Sequence, residues 1–169
     1  NLKSIGYQTG TGFMVGSPYQ TMKHLAEDLL FIKDLEPEMV GIGPFIPHHD
    51  TVFKDSKRDS VRLTLVLISI LRLMIPNLLI PTTTALGSID SKGRELGILA
   101  GANVIMPNLS PEDVRKKYLL YDNKISTGME TAEGVLSLKK SMKALGYEIL
   151  PARGDFKPMN CDKKVKEMS

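Results

Sequence analysis

The chain has 169 residues and a mass of 18.7 kDa, the size of a single domain. Hydrophobic residues make up 42% and charged residues 24%, which allows a real core and excludes a wholly disordered chain. The 22 Lys and Arg residues exceed the 19 Asp and Glu residues by three, too few to indicate a nucleic-acid partner. The single cysteine, Cys161, excludes an intramolecular disulfide and a multi-cysteine metal site, and it favours a reducing, cytoplasmic setting.

Neither a signal peptide nor a membrane span is predicted. The N-terminus carries only Lys3 and no apolar core region of a signal peptide. The most apolar segment, Val61–Ile75, is interrupted by Arg62 and Arg72, whereas a span needs about 20 largely uncharged residues. This segment therefore indicates a buried helix and no membrane partner.

Strand-like and helix-like patterns alternate in the first half of the chain. Gln8–Gly16 is a short strand whose glycines would let another backbone or a ligand approach closely. Apolar residues at helical spacing predict a helix over Thr21–Leu35, with Thr21 as its N-cap. Met39–Ile46 is apolar without alternation, which is typical of a strand covered on both faces. Ser60–Ile75 predicts a second helix, which ends before a proline.

The same alternation continues in the second half. Its predicted elements, in order, are a strand at Leu79–Thr83, a helix at Ser91–Ala100, a strand at Asn103–Met106, a long connection over Asn108–Ser126, a helix at Thr127–Leu145 and a candidate final strand at Tyr147–Leu150. Gly101 and Gly146 supply the helix ends, and Thr127 with Glu130 matches a capping box.

Four consecutive βα units predict an α/β fold with parallel strands joined by right-handed crossovers. The strands could form an open sheet or part of a barrel. Gly43-Pro44 and Pro107-Asn108 at strand ends, together with the lack of a G-x-G-x-x-G motif, favour the barrel. A (β/α)8 barrel needs about 250 residues, so four units correspond to half of one.

Residues that follow barrel strands are the candidates for ligand binding. His48 and His49 precede Asp50, but adjacent histidines in an extended segment point apart, so we expect loop residues and no shared metal. Thr82–Thr84 offers three hydroxyls that could hold a carboxylate or phosphate, although β-branched residues are also common at strand ends.

Other motifs assign no catalytic residue. Tyr118 and Tyr121 lie three residues apart and could share one face of a short helix, with core packing as the alternative. The chain has no Ser-His-Asp, C-x-x-C or H-E-x-x-H arrangement, so spacing alone names no enzyme and no metal ligands.

Five blocks of sequence occur in the order found in one known family: GYQTGTGFMVGSPYQT, MVGIGPFIPHHDT, IPTTTALGSID, GANVIMPNLSP and YLLYDNKIS. The chain resembles the C-terminal half of radical S-adenosylmethionine (SAM) proteins of the FeFe-hydrogenase maturase HydE family, which are relatives of biotin synthase and methylornithine synthase. The resemblance implies strands five to eight of a (β/α)8 TIM-type barrel. It implies a half-barrel over residues 1–154, and the polar, Lys-rich composition of residues 155–169 predicts a flexible tail.

The resemblance also implies which cofactors belong to the intact family protein, namely SAM and a 4Fe-4S cluster. The cluster ligands form a C-x-x-x-C-x-x-C loop in the N-terminal half, and this chain has a single cysteine. We therefore expect no cofactor to be held by this chain alone and no activity without a cluster-bearing N-terminal half-barrel, from the same gene or a separate chain. The family's activity would be maturation of the hydrogenase active-site cofactor.

Family positions also carry over to individual residues. Three match cofactor-binding positions around SAM: Pro44, Ile46 and Met106. Three match substrate- or anion-binding positions: Thr83, Thr84 and Tyr118. Tyr19 stands where the family has glycine, so we expect the loop after the first strand to be reshaped.

Two other functions remain open from the sequence. The chain could be a non-catalytic half-barrel that serves as a binding or scaffold module for a small anionic ligand. It could also be an unrelated open α/β sheet that binds a phosphorylated metabolite.

An isolated half-barrel is expected to form a homodimer. Its inward apolar side chains would lose their cover, as listed here: Phe13, Val15, Val40, Ile42, Ile80 and Val104.

Overall fold

Four short parallel strands form the framework of this computed structural model, which describes residues 1–56, 60–106, 132–150 and 153–157. The strands are β1 (Gly10–Val15), β2 (Met39–Pro44), β3 (Pro81–Thr82) and β4 (Val104–Ile105). β1 pairs with β2 along its whole length, and β3 pairs with β4. An isolated bridge between Met39 and Leu79 joins the two pairs, so the strands follow one another in chain order.

Helices connect the strands. Within the described ranges the α-helices are α1 (Met22–Leu35), α2 (Val61–Met74), α3 (Thr84–Ile89), α4 (Gly93–Leu99) and α5 (Ala132–Ala144), and a 3-10 helix at Lys3–Ile5 precedes β1. All the α-helices except α3 lie within helices that the sequence predicts. α3 has six residues, too few for a helical period to appear in the sequence. None of the helices in these ranges is long and apolar enough to cross a membrane.

The start of α1 confirms the predicted N-cap. The Thr21 hydroxyl accepts a hydrogen bond from the backbone N–H of His24, and the His24 side chain accepts one from the backbone N–H of Thr21. Two of the four N–H groups that a helix start leaves without partners are satisfied in this way. His24 therefore has a structural role that its residue type does not reveal.

The sheet has two unlike faces. Val15, Val40, Ile42 and Ile80 are fully buried and belong to one core cluster with residues of α1, α2 and α5. The prediction that these side chains would be uncovered in an isolated chain is therefore wrong, because the helices already cover them. The other face carries the alternate residues of β1 and β2, including Met14, which is 58% exposed.

The C-terminal part departs from the predictions. Tyr147–Leu150 has no strand pairing, so the predicted final strand is wrong. The connection over 108–126, the start of the helix at Thr127 and most of the tail lie outside the described residues. Because the segment after β4 is among them, the structure establishes an α/β fold with four parallel strands but not four complete βα units.

The free edge of β1 is partly occupied by a side chain. Phe45 donates its backbone N–H to the carbonyl of Val15, so in β1 the odd-numbered residues face β2 and the even-numbered ones face the other edge. On that other edge, the Gln20 carboxamide accepts a hydrogen bond from the N–H of Gly16 (2.7 Å) and donates one to the carbonyl of Met14 (2.9 Å).

Glu38 joins the segments at the N-terminal edge of the sheet. Its carboxylate accepts hydrogen bonds from the backbone N–H (2.6 Å) and the hydroxyl (2.9 Å) of Thr9, and it lies 3.4 Å from the ammonium of Lys3. Lys3 also donates to the carbonyls of Leu35 and Glu36 at the end of α1. The hydrogen bonds from Thr9 hold the pKa of Glu38 below its ordinary value, although partial burial opposes them.

We expect Glu38→Gln to lower the free energy of unfolding by about 1–2 kcal/mol at pH 7, because it weakens hydrogen bonds to a charged acceptor. The folded-state pKa lies below the ordinary 4.5, so the carboxylate stabilises the fold above that value, and the stabilisation is lost as the pH falls through the lowered pKa. Urea unfolding of both proteins at pH 7 and in the acid range measures the difference, which should vanish in acid. Glu27→Gln is the control, since Glu27 is 58% exposed and pairs only weakly with Lys23. Equal losses in both variants would contradict the prediction.

Candidate functional site

A cavity of about 670 Å³ opens on the side of the sheet that the helices leave uncovered. It is lined by β1, by β2 and the loop that follows it, and by Thr83 and Ala85 at the start of α3. This position, at the carboxyl ends of parallel strands, is where α/β proteins bind their ligands.

The base of the cavity is formed by three glycines, Gly12, Gly41 and Gly43, which we call the glycine floor. A Cβ at Gly12 would overlap the carbonyl oxygen of Gly41, so the two backbones approach too closely for any side chain. None of the three has a positive φ, so glycine is present for space and not for backbone conformation. A ligand lying on the floor would contact bare backbone.

Apolar residues of the β2–α2 loop form one wall. Phe45 and Phe53 pack edge to face with ring centroids 6.3 Å apart. Pro44 and Ile46 are buried beside them, and both line the cavity. The predicted SAM positions Pro44 and Ile46 thus lie at the cavity, while their binding roles stay predictions.

The three consecutive threonines face different surroundings. Thr83 lines the cavity, and its Oγ1 is buried without a hydrogen-bond partner in the structure. Thr82 lies on the opposite side, where its Cγ2 faces Gly97 of α4. Thr84 begins α3 and is not among the residues that line the cavity, although its carbonyl accepts a hydrogen bond from Ser88. Only Thr83 presents a hydroxyl that a cavity ligand could satisfy.

The two histidines of the β2–α2 loop do not point apart as predicted. Their rings stack with centroids 4.3 Å apart and an interplanar angle of 25°, because the segment turns instead of staying extended. Asp50 lies 3.4 Å from His49 Nε2 and 3.9 Å from His48 Nδ1. A metal lies near the plane of each imidazole that binds it, and two stacked rings do not direct their nitrogens to one point. One ligand atom from each of His48, His49 and Asp50 nevertheless lies within 4.8 Å of the others, so the absence of a shared metal stays a prediction. His48 also lines the cavity.

The remaining predicted positions have separate outcomes. Met106 follows β4, is 54% exposed and does not line this cavity. Tyr118 and Tyr121 lie outside the described residues. Tyr19 adopts φ +66°, the left-handed conformation that a glycine would take, so the loop keeps a glycine-like backbone at this position.

The sequence analysis predicted a close backbone approach at the glycines of Gln8–Gly16, which Gly12 confirms, but it did not single out Gly41, Gly43 or the two phenylalanines. A signal was present, because Gly10 and Gly12 in β1, and Gly41 and Gly43 in β2, recur at the two-residue period of a strand. Such spacing places glycines on one face of each strand. The spacing alone does not predict that the glycine faces of β1 and β2 lie side by side.

No protein-family model matches the chain. Curated relatives do. The chain is 45% identical over 145 residues to the [FeFe] hydrogenase maturase subunit HydE of Thermotoga maritima, covering 86% of this chain and 42% of the relative. It is 29% identical over 152 residues to 3-methylornithine synthase of Methanosarcina barkeri, covering 89% of this chain and 39% of the relative. The chain thus spans about two fifths of the length of the curated relatives it matches.

A solved structure shows the same fold. The crystal structure of methylornithine synthase (PylB) superposes with a TM-score of 0.67 at 24% identity, covering 89% of this chain and 42% of that one. At this identity the match is evidence of fold alone.

We expect Gly12→Ala to destabilise the protein by about 2 kcal/mol, because the added methyl group must push β1 and β2 apart. Thermal and urea unfolding measure the loss. Gly10→Ala is the matched control in the same strand, since its methyl would lie at an ordinary 3.5 Å from the carbonyl oxygen of Met39. A Gly12→Ala protein as stable as the control would show that the floor has room for side chains.

Proposed function

We propose that this chain, which resembles the C-terminal half of a radical SAM protein of the HydE type, supplies walls of the SAM and substrate cavity of a HydE-like enzyme that matures the hydrogenase active-site cofactor. The observation that carries the proposal is the 45% identity to HydE across 86% of the chain. Support comes from the cavity itself, which opens at the carboxyl ends of the parallel strands.

The cavity has the features that SAM would need. The glycine floor is a cradle that a Cβ would fill, and it offers a flat backbone surface for a planar base. Pro44 and Ile46 would hold the adenine from the wall. Met106 does not line the cavity in this structure, and its contact with SAM would form only in the assembled protein. SAM bound to a reduced 4Fe-4S cluster supplies a 5′-deoxyadenosyl radical. The residues of this chain would bind and orient the ligands.

Thr83 would hold the anionic group of the substrate. Its Oγ1 is buried and has no partner in the structure, which costs free energy unless a ligand or water accepts or donates a hydrogen bond there. Thr84, which does not line the cavity in this structure, and Tyr118 are the family positions that would complete this anion site in the assembled protein. The substrate would then lie across the floor with its anion at Thr83.

The cluster ligands must come from elsewhere, because this chain has one cysteine and the cluster needs three thiolates. We propose that a cluster-bearing N-terminal half-barrel, in the same longer protein or in a separate chain, closes the barrel. Within the described residues β1 pairs only with β2, and the even-numbered residues Gly10 and Gly12 present backbone groups on its other edge. An incoming parallel strand could pair there.

A second candidate function is a non-catalytic module that binds a small anion. The unpartnered hydroxyl of Thr83 is the observation that favours it, since anion binding at Thr83 requires no cluster. The two functions differ in whether a cluster-bearing half restores SAM cleavage.

Reconstitution tests the radical SAM role. We expect the chain, mixed with the cluster-bearing N-terminal half of a HydE protein and a reductant, to support cleavage of SAM to 5′-deoxyadenosine, measured by chromatography. The chain alone should bind SAM more weakly than micromolar in a calorimetric titration, because chelation to the cluster is missing. The control is the same N-terminal half with its three cluster cysteines replaced by alanine. Failure to cleave SAM with a loaded cluster, while acetate still binds at Thr83, would favour the anion-binding module.

Light scattering tests the open edge. We expect the isolated chain to have twice its 18.7 kDa mass at low micromolar concentration, because two copies can cover the free edge of β1 and the open face that carries Met14. Addition of the N-terminal half should replace the homodimer with a heterodimer. A mass of 18.7 kDa with a cooperative melt would reject the homodimer.

A further inference from the structure

Gly43, one of the three residues of the glycine floor, lies directly beside the side chain of Thr83. A Cβ at Gly43 would be 2.6 Å from Thr83 Oγ1, 3.3 Å from its Cβ and 3.4 Å from its Cγ2. A Cβ at Gly41, two residues earlier on the same strand, would meet only Pro81 Cγ at an ordinary 3.8 Å. The two glycines therefore differ in what a side chain would displace.

Thr83 has little freedom to move away. It is the N-cap of α3 with an extended backbone, and its carbonyl accepts a hydrogen bond from the N–H of Leu86 at 3.2 Å. Its hydroxyl makes no capping bond, so the side chain is free of that task. Because a β-branched side chain has few χ1 rotamers, a methyl group at position 43 would turn the hydroxyl away or occupy the space in front of it.

We propose that Gly43 is the positioning residue for the Thr83 hydroxyl: the missing side chain leaves the space that Oγ1 needs in the rotamer that presents it to a carboxylate of the ligand. The inference rests on the proposed anion-binding role of Thr83. It adds that the absence of a side chain at position 43 keeps the Thr83 hydroxyl in the position from which it donates to the carboxylate. Any side chain at position 43 would displace the hydroxyl.

The test is a titration of the full chain with sodium acetate at constant ionic strength, with ¹³C-methyl-labelled threonine observed by NMR. The Thr83 methyl resonance is identified by its loss in Thr83→Ser. We expect a saturable shift of this resonance in the wild type and in Gly10→Ala, a control far from Thr83. Gly43→Ala should raise the acetate Kd by about tenfold or more, the effect of losing a hydrogen bond to a charged group, and Gly41→Ala should raise it less.

A rescue variant separates positioning from general packing. In Gly43→Ala/Thr83→Ser the missing Cγ2 lets the hydroxyl rotate back, so acetate binding, now measured by saturation transfer to the acetate methyl, should return toward the wild-type Kd. If Gly43→Ala does not fold, recovery of folding and binding in the double variant still supports the overlap with Thr83. A double variant that stays unfolded or does not bind overturns it.

The outcomes distinguish this inference from the anion site itself. A folded Gly43→Ala that binds acetate as the wild type does overturns the role of Gly43 and leaves the role of Thr83 intact. A wild type whose Thr83 resonance does not respond to acetate overturns both.

Discussion

The close approach of β1 to β2 is the constraint from which most of this molecule follows. Gly12 lies so near Gly41 that no side chain fits at position 12, and the glycines at positions 12, 41 and 43 leave the cavity face of the sheet with little apolar side-chain surface. Cohesion must come from the other face. Val40 and Ile42, which alternate with the glycines, are fully buried against the helices and supply it.

This division separates the support of the fold from the shape of the cavity. The helix-covered face is an ordinary apolar core, while the polar network around Glu38 holds the N-terminal edge of the sheet. The cavity lies at the opposite edge of the sheet, and neither the helix-covered core nor the network around Glu38 forms its walls. Parallel α/β folds commonly divide in this way, with stability at one edge of the strands and ligand binding at the other.

The sequence was enough to predict most of the helices and strands and the family resemblance. It was not enough to predict which face of the sheet the helices cover. Periodicity located α1 and α2, and the threonine N-cap of α1 is confirmed, because these signals are local. The sequence pattern did not predict the six-residue α3, and it wrongly predicted a strand at Tyr147–Leu150. The local sequence decides neither a helix this short nor the pairing of a final strand. Apolar runs such as Met39–Ile46 do not say which face meets helices, so Val15 and Val40 were assigned to the wrong side. The contact between Gly43 and Thr83 depends on the register between neighbouring strands, and the spacing of residues within one strand does not predict that register.

The carboxamide of Gln20 has a consequence for how a barrel could close. By accepting from Gly16 and donating to Met14, it acts as a surrogate peptide unit, with the same donor and acceptor that a neighbouring strand would present. The carbonyl of Met14 and the N–H of Gly16 are therefore already hydrogen-bonded to Gln20. A strand that pairs with the outer edge of β1 can form backbone hydrogen bonds only with the residues that precede them. The side chain of one loop residue thus dictates how far a neighbouring strand can extend toward the cavity mouth.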